Sequence, residues 1–526
     1  MDKALEHLLG TIVQMRKDEE DSLKEEDVIK VSDTVSVAAS VYETVRNTLE
    51  YDDEHLLRRN AIRRILKRRM GEGSNDLAGK LLQELIWARY LPNGRVPTKM
   101  IEKVGTILEK YQMLFSTLDA ESSEGQQVYP WLMNVLSVEV EYVLGPPCID
   151  EALASFAYQE LKKRVDWQTR LVGVEDRDLQ LYIAIHRNVL KSNRATLRYR
   201  TLTLFYPGWR KAKQGDAVVK EVAMSLVKVV HSVENQIDHP AQDAVYRFIR
   251  RHGVVFHLLA DIARDNPEAF ARSLEMSDIA SIDTALTKAA NARYGDFRAK
   301  LKRTVVRAAF FLLLTKSILA VLVELPYEYF VLNSTDYVPL MVNILFPPVL
   351  LTFIGLTVRI PKKENTNKIL DETHGILGVG NNFSLVFKRR GPWDRGALYW
   401  IFNGLYMAVL FVTIGLIIVA LRSLYFNALS IFFFLFFLSL VAYFGLRIRN
   451  TKRELVVLES ARGFFGTIVD VLTLPIVRAG RWVALRAPRV NIFLFFFDFI
   501  IEAPFKAAIG IVESWLGFLR EKREEI

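Results

Sequence analysis

The sequence predicts an all-α, polytopic helical membrane protein with a large amino-terminal cytoplasmic helical domain and a membrane-associated carboxy-terminal helical segment. Three observations carry this expectation. Residues 337–358, 396–421 and 423–446 contain no charged side chain, and each run exceeds the roughly 20 residues that cross a hydrocarbon core about 30 Å thick. Residues 308–330 are nearly as apolar, with Lys316, Glu324 and Glu328 as their charges. Up to residue 303, by contrast, charges occur every few residues and apolar positions recur at helical spacing.

The average composition hides this division, since 526 residues with 51% apolar and 25% charged side chains resemble an ordinary globular protein. The expected organisation is a helical domain over 1–303, a four-span region over 304–449 with a basic loop at 359–395, and amphipathic, membrane-associated helices over 450–526. One cysteine, Cys148, excludes an intrachain disulfide and a cysteine-based zinc site. The amino terminus is dense in acids and has no apolar core of signal-peptide length, so neither secretory nor mitochondrial targeting is expected.

Within the first 303 residues, helical periodicity marks 31–49, 56–70, 77–91, 101–118 and 128–144. Turn chemistry separates them at 91–97 (LPNGRVP), 144–150 (LGPPCID), 205–209 (FYPGW) and 238–243 (DHPAQD). The stretch DNPEAF from Asp265 reads as a helix start, with proline just inside and an acid in the first turn. No alternating strand pattern and no internal repeat stands out, so an irregular helical domain is expected rather than a solenoid.

Flanking charge gives the orientation, because Lys and Arg near span ends resist translocation. Lys300, Lys302, Arg303 and Arg307 precede the first span, and no Lys or Arg stands between Lys316 and Arg359. The loop after the second span carries Arg359, Lys362, Lys363, Lys368, Lys388, Arg389, Arg390 and Arg395, and Arg447, Arg449, Lys452 and Arg453 follow the fourth. Only Arg422, in the short turn between the third and fourth spans, runs against this alternation. Both termini and the basic loop are therefore expected in the cytoplasm, with the plasma (inner) membrane as the location.

Two basic stretches stand out in the helical domain. Arg58, Arg59, Arg63, Arg64, Lys67, Arg68 and Arg69 share one amphipathic helix, and no acid occurs between Asp178 and Asp216, where Arg187, Lys191, Arg194, Arg198 and Arg200 lie. Tyr199, Phe205, Tyr206 and Trp209 interleave with the second set. Such a surface fits anionic lipid headgroups, at about 1 kcal/mol per residue near a bilayer. It also fits nucleic acid, through phosphate neutralisation and stacking, or a plain salt-linked face. In a bilayer-tethered protein the lipid reading is preferred to nucleic acid.

Other constellations fall short. His257 and Asp261, four apart on one helix with His252 nearby, could share a metal, but no third ligand is evident. HGILGVGNNF at 374–383 lacks the Lys and Ser or Thr that a phosphate loop needs after its last glycine. No nucleophile elbow or paired-acid motif appears, and no cofactor is expected.

In the carboxy-terminal segment, Asp498, Glu502, Lys506 and Glu513 fall within about 80° of one helix face at 100° per residue. A lysine at mid-bilayer costs at least about 2.5 kcal/mol and normally faces a partner or the bundle interior. Glu324 is about 12 Å from Lys316 along the helix axis, so Asp498 or Glu502 is the expected partner in a cluster of Lys316, Glu324, Asp498 and Glu502. A lysine snorkelling to a headgroup is the alternative. The functional expectation is a non-enzymatic, membrane-anchored scaffold or receptor whose helical domain binds a protein or anionic-lipid partner. A transporter or channel subunit would need more polar residues at membrane depth than Lys316, Asn343, Asn403 and Asn427, and a lipid-modifying enzyme using the basic loop ranks third.

Overall fold

The computed structural model of the chain describes residues 3–22, 27–31, 54–71, 76–119, 121–333, 337–358, 360–361, 363–378, 384–388, 397–451 and 476. These are overwhelmingly helical. Contacts divide the chain into two compact units that are discontinuous in sequence. Residues 3–159 and 175–246 fall in one, and residues 160–174 and 247–489 in the other. A single cut near residue 303 therefore does not separate the compact units.

The first unit is built from helices α1 (Lys3–Ser22), α2 (Glu54–Gly71), α3 (Leu77–Trp87), α4 (Lys99–Ser116) and α5 (Ser123–Leu144), followed by most of α6 (Cys148–Arg164). Helices α7 (Arg177–Val189), α8 (Arg194–Phe205), α9 (Ala217–Met224) and α10 (Leu226–Ile237) complete it. The periodic stretches near 56–70, 77–91, 101–118 and 128–144 thus form helices within a few residues of the expected ends. Val31 does not begin one. It lies in an extended segment, where Asn93 donates to its carbonyl and accepts from its amide, both at 3.0 Å. Residues 32–49 of that expected helix lie outside the described residues.

Helix starts follow side-chain capping, which is worth about 1 kcal/mol each. Asp76 accepts from Gly79 N at 2.9 Å and Ser122 from Gly125 N at 2.9 Å. At Gly125 the chain passes so close that a Cβ would lie 1.9 Å from the Asp119 carbonyl oxygen. The apolar faces meet in one core, with Ile62 and Ile65 of α2, Leu82 and Leu85 of α3, Tyr111 of α4 and Val135 and Val138 of α5 all buried. A charged network sits inside that core. Glu139 accepts from Lys110, from the Tyr111 hydroxyl at 2.7 Å and from the Trp209 indole at 2.9 Å.

The second unit contains a feature the sequence reading missed, a two-stranded parallel pair. Strand β1 (Val165–Gln168) runs beside β2 (Leu385–Lys388), with Val165 opposite Leu385 and Gln168 opposite Lys388. At four residues each, neither strand is long enough for alternation to register. Trp167 and Phe248 pack edge-on against Phe387.

Helices α11 (Gln242–Asp265) and α12 (Pro267–Glu275) lead to α13 (Ile279–Leu319). Asn266 caps α12 by accepting from Ala269 N, and Pro267 stands at its first turn, as expected for DNPEAF. Helix α16 (Lys363–Leu377) is tied down from several sides. His252 Nδ1 lies 3.1 Å from Glu372, His374 Nε2 lies 2.7 Å from Asp283, and Asn365 donates to the Tyr294 hydroxyl at 2.9 Å. Arg164 donates to the Gly375 and Ile376 carbonyls at 3.0 and 3.1 Å. That satisfies carbonyls at the helix end, where a cation is also favoured by the helix dipole.

Among the described residues three helices are long and apolar enough to cross a membrane: Ile279–Phe330, Tyr337–Leu356 and Ala428–Gly445, with a shorter apolar helix over Met407–Ser423. The first joins α13, a π turn (Ala320–Glu324) and α14 (Leu325–Phe330) into one rod. The second is α15 (Tyr337–Leu356), while α17 (Ala397–Ser423) and α18 (Ala428–Thr451) contain the others. Their outward faces are apolar, as at Phe310, Phe311, Leu314, Leu322, Met341 and Phe353. Small residues let the backbones approach: a Cβ on Gly355 would lie 2.6 Å from Val305, and one on Gly445 2.8 Å from Ile354. The carboxy-terminal helical segment expected over 450–526 lies almost wholly outside the described residues.

Candidate functional site

Two places gather polar chemistry. The first is inside the apolar helices. Pro326 has no N–H to offer the carbonyl four residues back, and its ring crowds that turn. Just before it the helix widens into the π turn Ala320–Glu324, the kind of bulge that adds a residue to one turn and recurs at functional sites. The widening matters for Lys316. Eight residues at 100° overshoot two full turns by about 80°, and an enlarged turn removes part of the overshoot. Glu324 therefore comes back toward the face of Lys316.

Lys316 Nζ donates to Glu324 Oε1 at 2.7 Å, and neither side chain is exposed (0% and 0%). Asn343 of α15 donates to Glu324 Oε2 at 2.7 Å and to the Ser430 carbonyl of α18 at 3.3 Å. The lysine ammonium also lies 5.1 and 4.8 Å from the ring centres of Phe433 and Phe437, a cation–π arrangement that strengthens when desolvated. Toward the end of the same rod, buried Glu328 accepts from Asn427 at 2.8 Å, and Asn427 in turn caps α18 by accepting from Ser430 N at 2.8 Å. Three helices are thus joined by one polar cluster.

Of the expected cluster, the structure brings Lys316 and Glu324 together, while Asp498 and Glu502 lie outside the described residues. Ser430 was not singled out by the sequence, and a serine within a phenylalanine-rich run gives little signal. Asn343 and Asn427 are visible as polar interruptions, but nothing in their spacing pairs them with acids on another helix.

The second place is in the first unit, where α2 and α8 contribute arginines to common ground. Most of the residues expected to form a basic surface are held by acids of the same unit. Arg59 is buried and donates to Glu141, to Asn193 at 2.9 Å and to Thr196. Arg68 and Arg69 share Glu84, and Arg194 and Arg198 share Glu234, with Arg194 also reaching Asp238. Burial pushes the Glu234 carboxyl up, yet the bonds from Arg198 and Arg194 leave it below the usual range. Arg63, bonded to Asn134 at 2.9 Å, Lys67 and Arg194 are the exposed members of the set, while Arg58 and Arg64 are half-buried.

Arg58, Arg59 and Arg200 line one cleft of about 290 Å³, together with Glu141, Tyr142 and Ser192 among others. Arg200 is buried, lies 3.4 Å from Glu151 and stands over the Tyr142 ring at 5.3 Å. Buried His186 is held well below the ordinary histidine range by desolvation and by the nearby charges of Arg200 and Arg210. The same burial raises the Tyr142 hydroxyl.

Of the residues considered for a metal, Asp261 accepts from Arg293 and His252 faces Glu372. Among the described residues no group of three or more His, Cys, Asp or Glu side chains is arranged to hold a metal. Gly378, in the left-handed region at φ +73°, ends the α16 helix, and the rest of the glycine-rich stretch lies outside the described residues. No family model, curated protein or solved structure matches the chain.

Proposed function

We propose that the chain is a four-span integral membrane protein of the plasma (inner) membrane, with both termini cytoplasmic, serving as an anchored scaffold or receptor. Its helical unit binds an anionic lipid or protein partner. The observation that carries the anchor reading is the closure of the intramembrane charge: Lys316 is neutralised by Glu324 with both side chains fully enclosed. Glu324 also accepts from Asn343 of α15, so the neutralised pair is tied to a second helix, which suits a rigid anchor.

The topology draws support from pairings within the second unit. Strand β1 precedes the first apolar helix and Tyr294 lies near its start, before the uncharged stretch that begins at 308, whereas β2 and Asn365 follow the second. Partners that touch must share a side of the membrane, so an even number of crossings separates them. The check is cysteine labelling in a Cys148→Ser background. A cysteine replacing Ser334 is expected to react from outside intact cells and one replacing Lys388 only after permeabilisation; the reverse pattern overturns the orientation.

For the receptor reading, the full chain in neutral nanodiscs is expected to co-sediment with anionic vesicles. Binding should weaken several-fold as salt rises from 0.15 M toward 1 M and the screening length falls from about 8 to about 3 Å. Equal binding to neutral vesicles would rule it out, and tighter binding to RNA at the same salt would redirect it to nucleic acid.

One observation favours a transporter or channel subunit instead. Asn343 Oδ1 is buried without a hydrogen-bond partner, and a buried acceptor left unmet costs about 1–3 kcal/mol, which a transiently bound proton carrier or ion would relieve. A proton or cation flux in proteoliposomes that Asn343→Leu abolishes would move the protein to that class.

A further inference from the structure

The cleft between α2 and α8 has more cation than its own acids use. Glu141 serves Arg59 closely and Arg58 only at 3.8 Å, while Glu151 is shared by Arg200 at 3.4 Å and Arg210 at 2.9 Å. Asp150 in the wall reduces the local excess by one charge. Hydrogen-bonding capacity is also left over. Arg58 Nε and Arg200 Nε are both buried without an acceptor, and a guanidinium N–H enclosed in this way is costly unless something accepts from it.

The site is also shaped. Gly145 lies against the Arg58 fork so closely that a Cβ there would sit 2.9 Å from Nη2, so glycine makes room for that arginine. The Tyr142 ring lies against Arg200, and Nε is the part of that guanidinium left for a further acceptor. Ser192, at the wall, supplies a hydroxyl. His186 is held low first by desolvation and then by the charges of Arg200 and Arg210. At about 290 Å³ the cleft lies at the small end of ligand pockets, the scale of a headgroup.

We infer that this cleft binds a phosphate monoester, held by the forks of Arg58 and Arg200 with Ser192 as an added donor. Planar guanidinium forks match phosphate oxygens in pairs, and a monoester, with about −1.5 to −2 charge at pH 7, more than offsets the single surplus positive charge and supplies several acceptor oxygens. The inference rests on the reading of the helical unit as the receiver of an anionic partner and names the chemistry that unit selects. The monoester could be a lipid headgroup or a free phosphorylated molecule.

The test uses the full chain in neutral nanodiscs, titrated with phenyl phosphate and, at equal ionic strength, with chloride. Phenyl phosphate is expected to bind and to raise the melting temperature, and Arg58→Gln and Arg200→Gln are each expected to weaken binding at least tenfold. Arg58→Lys, which keeps the charge but loses the fork, should recover only part. Arg58 is half-buried, so its variants keep the test valid if Arg200→Gln fails to fold. Discs doped with phosphatidic acid that displace phenyl phosphate assign the ligand to a lipid; failure of such discs to displace it assigns a free phosphate. No binding to the wild type, or binding unchanged in both glutamine variants, overturns the site. If anionic vesicles still bind in that event, the broader receptor reading stands; if they do not, both fall.

Discussion

Replacing Glu324 with leucine is expected to lower stability in detergent by about 3–5 kcal/mol, because it leaves the Lys316 ammonium buried and uncompensated. The lysine has no exposure through which to relax, and Asn343 loses its 2.7 Å acceptor at the same time. Lys316→Leu is expected to cost a similar amount from the other side of the pair. The double change removes both charges and should restore the larger part, leaving a deficit of about 1–3 kcal/mol for the amide of Asn343. The measurement is a double-mutant cycle by thermal unfolding. A coupling below about 0.5 kcal/mol, the additivity error of independent sites, would sink the pairing. The same cycle run with Asp498→Leu or Glu502→Leu shows whether either acid also engages Lys316.

The largest effect in the helical unit is expected at Glu139. Its carboxylate gathers the Lys110 ammonium, the Tyr111 hydroxyl and the Trp209 indole, and Lys110 and Glu139 are 1% and 3% exposed. Lys110 also donates to the Trp209 carbonyl at 3.1 Å and lies 4.6 Å from the centre of its ring. Glu139→Leu strands a cation and two neutral donors together, so a loss of at least about 3–5 kcal/mol follows. Glu139→Gln keeps an acceptor for Tyr111 or Trp209 and should cost less than leucine. Burial, then Glu139, raise the Tyr111 hydroxyl well above its ordinary value, so that hydroxyl remains a donor across the working pH range. A melting profile of Glu139→Leu within about 1 kcal/mol of wild type would show that the network contributes little.

Much of the helical fold could be read directly. The spacing in 128–144 gives a helix whose face buries Val135 and Val138, and Pro267 with an acid behind it marks a start that the structure caps with Asn266. Local chemistry of this kind is written within a few residues. The strand pair could not be read, since Val165 meets Leu385 across most of the second unit. The Lys316–Glu324 pair was hidden by geometry: regular rotation sets the two side chains about 80° apart, and only Pro326 hints at the widened turn. Nor did spacing reveal that Arg58 and Arg200 share a cleft or that Glu141, Glu84 and Glu234 would neutralise so many arginines. Those acids lie among apolar residues on helices whose mutual packing decides which cation they meet.

The β1–β2 pair has a consequence for how the protein is made. Its strands are separated by about 220 residues, with two long apolar helices between them. At about 5–20 residues per second, β1 leaves the ribosome roughly 10–45 s before β2 exists to meet it. Until then the second unit is incomplete, and β1 shows an unpaired edge of the kind that invites wrong partners. On the proposed topology, insertion of the two apolar helices comes first and returns the chain to the side where β1 waits. Completion of the second unit is therefore a late event in biogenesis, and on the proposed topology it is conditional on delivery to the membrane. A nascent chain stalled before residue 385, or one whose second apolar helix fails to insert, would leave that unit open to quality-control recognition while the helices of the first are already made.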